Sequence, residues 1–270
     1  MKVYVCALAK NEHLYINEWV NHYVKLGVDK IFIFDNDDKG SKYIGDFIER
    51  KDKVRIINAR GLHWNHIQHD FYTNFYNNEK NNFDWCLFCD IDEFLVGTND
   101  IKKFLSKPIF NIYEQIRVKW NLFGDDNLIE RDTSKPVMES FHKVLDSSLC
   151  WDLSRPSTLQ RQAKCIVKGH LNGIRFDSAH FANRGIKLLC SCLPSGKPCN
   201  SDVSIKEDYS KETLFLNHYM TKSLSEFINQ KMKRTDAVFG KRVIDMNYYW
   251  RINEKTKEKE DYLKNLGLDI

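Results

Sequence analysis

The chain has 270 residues, 42% of them hydrophobic and 29% charged, so one large α/β domain with a substantial core fits it better than two independent units. A formal net charge of +4 suits phosphate-bearing ligands or an anionic membrane surface and is too small to imply nucleic-acid binding. No stretch approaches the ~18 consecutive apolar residues of a membrane span. The N-terminal apolar run is too short for a signal peptide, and the eight cysteines have no disulfide-framework spacing, so the expectation is a cytoplasmic protein with reduced thiols.

Residues 3–8 are apolar and β-branched and predict a first strand, followed by Lys10, Asn11 and Glu12. The spacing of Trp19, Val20, Tyr23, Val24 and Leu26 predicts a helix stopped by Gly27. A second strand is expected at 30–34, ending in Asp35-Asn36-Asp37-Asp38, then a helix around 43–50, a third strand at 54–57 and a helix at about 66–78. That helix leads into the apolar run beginning at Trp85, which ends in Asp90-Ile91-Asp92 with Glu93 behind it. Strand and helix alternate, which implies successive β-α units, a mostly parallel sheet with helices on both faces and right-handed crossovers. Cys86 and Cys89, three apart on a strand, face opposite ways, so neither a zinc half-site nor a redox pair is natural there.

Alternation is lost after residue 95. Extended segments are expected at 116–123, 137–144, 164–167, 174–181 and 213–219, and helices at 223–233 and 248–266, the last highly charged. The organisation expected is a single domain over 1–245, with a nucleotide-sugar-binding half at 1–95 and an acceptor-shaping half at 96–245. A charged helix at 246–270 follows, exposed or facing a membrane. Lys231, Lys233, Arg234, Lys241 and Arg242 crowd one segment, readable as a solvated helix face or as contacts to anionic lipid or a diphosphate. Cys190, Cys192 and Cys199 lie in a loop containing Gly and Pro, an ordinary loop or, with a nearby His, a zinc site.

Ligands of parallel sheets sit beyond the strands' carboxyl ends, and Asn11/Glu12, Asp35/Asn36 and Asp90/Asp92 all fall at such ends. Two carboxylates at the end of a buried strand are tolerable mainly when a cation neutralises them, and oxygen ligands suggest Mg²⁺ or Mn²⁺. Glycosyl transfer from a nucleotide sugar needs a nucleoside pocket, a cation on the diphosphate and a carboxylate that deprotonates the acceptor. Asp35 can accept hydrogen bonds from a base or ribose, with Asn11, Glu12, Asn36 and Ile91 lining the same crevice. Asp90 and Asp92 can bind the metal, with His218 the first candidate for a third ligand and His180 the second. Candidate general bases are Glu139, Asp125 and Asp126, each following the strand expected beside the Asp90 strand. Glu139 sits between apolar residues in V-M-E-S-F, and burial there would raise its pKa toward the working range. Trp120 and Phe123 could stack on a sugar face or belong to the core. Lys222 and Arg234 are candidate phosphate contacts.

Four segments carry a family resemblance: A-K-N-E-H-L-Y-I-N-E-W-V-N-H-Y through I-F-I-F-D-N at 9–36, D-W-C-L-F-C-D-I-D-E-F-L at 84–95, V-K-W-N-L-F-G at 118–124 and N-H-Y-M-T-K-S-L-S-E-F at 217–227. Together they resemble the GT-A glycosyltransferases of the family 2-like and family 92 type. The resemblance implies a GT-A fold and an inverting, metal-dependent transferase, with Asp90 and Asp92 as the metal motif and Asp35 in the nucleotide pocket. It implies a UDP-sugar donor, with galactose the first hexose to test. The acceptor expected is a glycan or lipid-linked glycan in capsule or lipopolysaccharide assembly, met by a protein peripheral to the inner face of the membrane. Alternatives are a sugar-phosphate nucleotidyltransferase, which would normally carry a Gly-rich loop where Lys10-Asn11-Glu12 stand, and a non-catalytic nucleotide-sugar-binding module.

Overall fold

The structure is a computed structural model that describes residues 1–145, 163–199, 211–233 and 244–253. Strands β1 (Val3–Ala9), β2 (Lys30–Asp35), β3 (Val54–Asn58) and β4 (Trp85–Phe88) pair in parallel in the order β3-β2-β1-β4. Alternate residues feed two cores: Val5, Ala7, Ile31, Ile33 and Leu87 on one face, Tyr4, Cys6, Phe32, Phe34 and Phe88 on the other. Helix α1 (Ile16–Lys25) closes the first face with Ile16, Trp19, Val20 and Tyr23. Helix α2 (Ile67–Glu79) closes the second with Tyr72, Phe75 and Tyr76. Cys86 and Cys89 fall into different cores, as strand alternation requires.

The later strands extend this sheet and change its direction. β5 (Glu93–Val96), helix α3 (Ile101–Leu105), β6 (Gln115–Phe123), helix α4 (Val137–Ser140), β7 (Val144–Leu145) and β8 (Ala163–Lys168) follow in the chain. β8 lies between β4 and β6 and is antiparallel to both. β9 (Ile174–Ser178), β10 (Phe181–Arg184) and β11 (Lys187–Leu188) form a separate antiparallel sheet. β12 (Ser191–Cys192) and β13 (Pro198–Cys199) finish the main sheet beyond β6, while β14 (Phe215–His218) pairs antiparallel with β5 and parallel with β6. The result is an α/β protein whose large central sheet is parallel through its first four strands and mixed beyond them. No helix among the described residues is long and apolar enough to cross a membrane.

Several expectations change here. The helix around 43–50 is only a 3-10 turn, Ile44–Phe47. Gly45 packs there so closely that a Cβ would lie 2.5 Å from the Tyr43 ring, a tight connection between adjacent strands rather than a covering helix. Residues 137–144 are not one extended run. Pro136 precedes α4, and the Glu18 carboxylate accepts from Val137 N at 2.8 Å and Met138 N at 3.3 Å, capping the first turn before β7 begins. The expected strand at 174–181 bends into the β9–β10 hairpin, with a register irregularity between Phe181 and Asn183. β6 does not run beside the Asp90 strand, because β8 separates them, so Glu139, Asp125 and Asp126 do not follow a strand adjacent to it. Cys192 is buried on the short β12–β13 pair, and Cys190, just ahead of β12, is exposed. No group of three or more His, Cys, Asp or Glu side chains among the described residues is arranged around a metal position there or elsewhere.

A helix at Met246–Asn253 begins the expected C-terminal element. Tyr249 and Ile252 are buried, Asp125 N donates to Asn253 Oδ1 at 3.0 Å, and Tyr249 donates its hydroxyl to Asp125, so these turns belong to the body of the protein. Residues 254–270 lie outside the described residues, as do Arg234, Lys241 and Arg242.

Candidate functional site

The carboxyl edge of β4 and β1–β3 collects the acidic residues. β4 ends at Phe88, and Asp90-Ile91-Asp92 forms the link into β5, with Glu93 N donating to Asp90 O at 3.2 Å. Ile91 turns into the core, so only its backbone is available at the edge. The Glu93 carbonyl is pinned from α1 by Trp19 Nε1 at 2.9 Å and Tyr23 Oη at 3.0 Å. Strand pairing then supplies the distant histidine: His218 on β14 stands opposite Glu93 on β5, and Tyr219 N donates to Asp92 O at 2.9 Å.

His218 Nε2 lies 3.4 Å from Asp92 Oδ1, and its Nδ1 lies 3.8 Å from Glu93 Oε1. Nδ1 and Glu93 Oε1 are both buried without a hydrogen-bond partner. Burial lowers the His218 pKa against the pull of Asp92, so the ring is neutral. Burial pushes the Asp92 carboxyl up, but Lys231 and His218 outweigh it and hold Asp92 well below the usual carboxylate range. Glu93 behaves oppositely: burial raises it well above its ordinary value, and Lys164 only partly counters this. Three carboxyl groups in one turn thus differ in protonation because their cations are unevenly placed.

Those cations are lysines. Lys164 on β8 is fully buried, donates to Asp90 Oδ2 at 2.8 Å and to Ala179 O at 3.2 Å, and lies 3.8 Å from Glu93 Oε1. Gln68 Nε2 of α2 donates to the other Asp90 oxygen at 2.7 Å. Lys231 Nζ lies 3.2 Å from Asp92 Oδ2. Both Asp90 oxygens thus accept from side chains, and those of Asp92 face Lys231 and His218; Asp92 with His218 is the carboxylate–imidazole pair that a divalent cation could share.

Mg²⁺ and Mn²⁺ in phosphate chemistry ordinarily take one or two protein ligands and fill the rest with water and substrate oxygens. Asp92, ionised, and His218, neutral with Nε2 toward it, have the protonation states that such an ion needs. Behind them His218 Nδ1 and Glu93 Oε1 lie 3.8 Å apart, both buried without a hydrogen-bond partner, so the side of the ring away from Asp92 faces an acidic side chain. The residues fit the ion. His180 does not join them: its Nδ1 pairs with Ala163 O at 3.1 Å and its ring meets Trp120 edge-on. Trp120 is buried against His218 at 4.5 Å between centroids, packing the imidazole rather than offering an open sugar platform.

The nucleotide-side candidates gather at the ends of β1 and β2. Asp35 is fully buried. Its Oδ1 accepts from Asp37 N at 3.2 Å, whereas Oδ2 has no hydrogen-bond partner and faces Arg60 Nε at 3.9 Å. Asn11 adopts φ 57° and its N donates to Asp37 Oδ1 at 2.6 Å. Asn36 spends its amide on Ala59 O and Leu62 O, so it shapes the loop after β3 instead of presenting a free side chain. Glu12 is buried 3.6 Å from Lys222 Nζ, which also sits 3.8 Å over the Tyr15 ring. Lys164, Gln68, Arg60 and Asp37 are absent from the site that the sequence predicts. Lys164 had a signal, a charged residue inside the apolar strand A-K-C-I-V-K.

The three expected bases are placed differently from one another. Asp125 is buried and accepts from the Tyr249 hydroxyl and Asn127 N. Asp126 accepts from His142 N at 2.7 Å and Lys143 N at 2.9 Å. Glu139 is exposed on α4, so the burial that its apolar neighbours predict is absent: Val137 turns inward and Glu139 outward.

An α/β sheet with acidic and basic side chains converging beyond the carboxyl ends of its parallel strands has the architecture of an enzyme acting on a nucleotide-linked or phosphorylated substrate. The sequence profile of glycosyltransferase family 92 matches residues 2–174, and the chain belongs to that family. No curated protein matches the chain. Among solved structures it is similar to the galactosyltransferase LgtC in complex with donor and acceptor sugar analogues, at 12% identity and a TM-score of 0.25. The overlap covers 46% of this chain and spans 47% of that one, too loose a likeness to bear on mechanism.

Proposed function

We propose that this glycosyltransferase moves a hexose, with galactose the first to test, from a UDP-sugar to a glycan or lipid-linked glycan in surface polysaccharide assembly. The observation that carries the site assignment is the Asp92–His218 pair, backed by Glu93, at the edge where ligands of parallel sheets bind. The reaction breaks the bond between the sugar's anomeric carbon and the diphosphate oxygen, whose electron pair stays on departing UDP. The acceptor oxygen forms the new bond and gives up its proton. Mn²⁺ or Mg²⁺ held by Asp92 and His218 would offset the charge that collects on the diphosphate.

Around that ion each residue has its own task. Asp90, held by Gln68 and Lys164, is fixed to accept from a sugar or ribose hydroxyl. Asp35 accepts an N–H or O–H from the nucleoside, and Arg60 Nε beside it donates. Lys222 leaves Glu12 for the diphosphate. Outside the contacts that link these residues, Glu139, exposed on α4, is the base proposed to take the acceptor proton in an inverting displacement. The mildly basic charge and the family resemblance support a glycan acceptor met at the cytoplasmic face of a membrane.

A panel of UDP-sugars assayed by UDP release with Mn²⁺ tests the reading. The expected result is slow hydrolysis of at least one donor, lost by about 10²-fold or more in Asp92→Ala. Pyrophosphate release instead would point to a nucleotidyltransferase. No turnover of any donor, with Asp92→Ala indistinguishable from wild type, would end the proposal.

A further inference from the structure

Asp92 meets a different partner at each of its oxygens. One faces the neutral His218, and the other faces Lys231 Nζ at 3.2 Å. Lys231 belongs to a π-helical turn, Phe227–Lys231, that continues the short helix Leu224–Glu226. That helix starts with a capping box in which Ser223 and Glu226 satisfy each other's backbone N–H groups. The widened turn carries Lys231 back over the edge of β5, where its ammonium also donates to Met220 O at 2.6 Å. Lys231 therefore holds one oxygen of Asp92 while His218 faces the other, and an ion shared by Asp92 and His218 would sit beside the ammonium.

The two lysines of the site are not equivalent. Lys164 is 1% exposed and bound to two carboxylates and a carbonyl, so moving it would strip Asp90 and Glu93 together. Lys231 is 12% exposed, joins Asp92 to a backbone carbonyl, and sits on the last turn of its helix. Its four-carbon stem lets the head swing while the backbone stays. A divalent ion arriving on Asp92 repels an ammonium at that distance. In the metal-assisted reading, the diphosphate would be the anion that the displaced ammonium could meet.

We propose that Lys231 is a leaving-group residue: it neutralises Asp92 in the substrate-free protein and passes to the diphosphate oxygens when metal and nucleotide bind. This rests on the metal-assisted reading of the site given above. It makes two opposite demands on one side chain. Removing its charge relieves competition for Asp92, so metal alone binds tighter. Removing its charge also takes a donor from the diphosphate, so nucleotide binds more weakly once metal is saturating.

The test is calorimetry of the full chain as wild type, Lys231→Met and Lys231→Arg, titrated with Mn²⁺ alone and then with UDP at saturating Mn²⁺. Lys231→Met is expected to bind Mn²⁺ about ten-fold tighter and UDP about ten-fold more weakly, the size of a single charge-assisted hydrogen bond. Lys231→Arg is expected to return both toward wild type. Should the methionine variant not fold, Lys231→Gln carries the same comparison. Wild type that binds Mn²⁺ and UDP while Lys231→Met matches it in either titration overturns this inference alone. Failure of every protein to bind Mn²⁺, with or without UDP, overturns the metal reading and this inference together.

Discussion

Glu93 stands behind the His218 imidazole. Its Oε1 is 3.8 Å from His218 Nδ1, and β5–β14 pairing fixes both backbones. An ion on Nε2 requires the ring's proton on Nδ1, facing Glu93, whose side-chain oxygen can accept it and fix the ring's orientation. Glu93→Leu is therefore expected to lower Mn²⁺ affinity about 10- to 100-fold, the usual cost of losing such support. Unchanged Mn²⁺ affinity by calorimetry would show that His218 needs no orienting group. Asp90, Asp92, Asp35 and His218 are legible in the sequence because acidic residues ending an apolar run, and a His ending another, break a pattern that burial would otherwise continue. The roles of Lys164 and Lys231 are not, since their contacts span 74 and 139 residues and no local spacing records that distance. Asn36, read as a ligand contact, donates its amide to Ala59 O and Leu62 O, and Trp120, read as a sugar platform or a core aromatic, packs against His218, placements that depend on contacts no local spacing records.

At the scale of elements, the site depends on β5 and β14 meeting in one register. Gly97 follows β5 with φ +96°, and a Cβ there would lie 1.7 Å from the Thr213 carbonyl oxygen just ahead of β14. Both the conformation and the close approach require glycine. Gly97→Ala is expected to destabilise the protein by about 3 kcal/mol or to displace β14 and His218 with it. Urea unfolding alongside a UDP–Mn²⁺ thermal shift checks this. A variant within about 0.5 kcal/mol of wild type and with a normal shift would mean that the strands separate there without cost. The parallel half, β1 to β4 with α1 and α2, is readable because doubly buried strands and amphipathic helices have different periods. The insertion of β8 between β4 and β6 is not, because periodicity reports burial and never neighbour order. The 137–144 segment misleads for a related reason: its helical turn is capped by Glu18, a residue more than a hundred positions away.

Across the whole molecule, burial has shifted ionisable groups in opposing senses, and this shapes its response to acid. Burial pushes His22 down to about 4, with its Nε2 paired to Leu95 O at 2.8 Å and its ring against Tyr23 and Phe94. A folded-state pKa below the ordinary value of about 6.5 means that the unfolded chain takes the proton first. The stability tied to neutral His22 is complete above pH 6.5 and declines as pH falls from there toward 4. At pH 5 the loss is about 2 kcal/mol. Glu93 and Glu18, both raised by burial, contribute in the opposite direction, since protonating them on acidification relieves a buried charge. Total stability against pH therefore mixes the two, and a difference between proteins separates them. His22→Gln keeps a donor for Leu95 O and removes the titration. Its loss of stability between pH 7.5 and pH 5 is expected to be smaller than wild type's by about 2 kcal/mol in urea unfolding. Equal losses in the two proteins would mean that His22 takes up its proton in the folded state as readily as in the open chain, and that the packing around it yields to the charge.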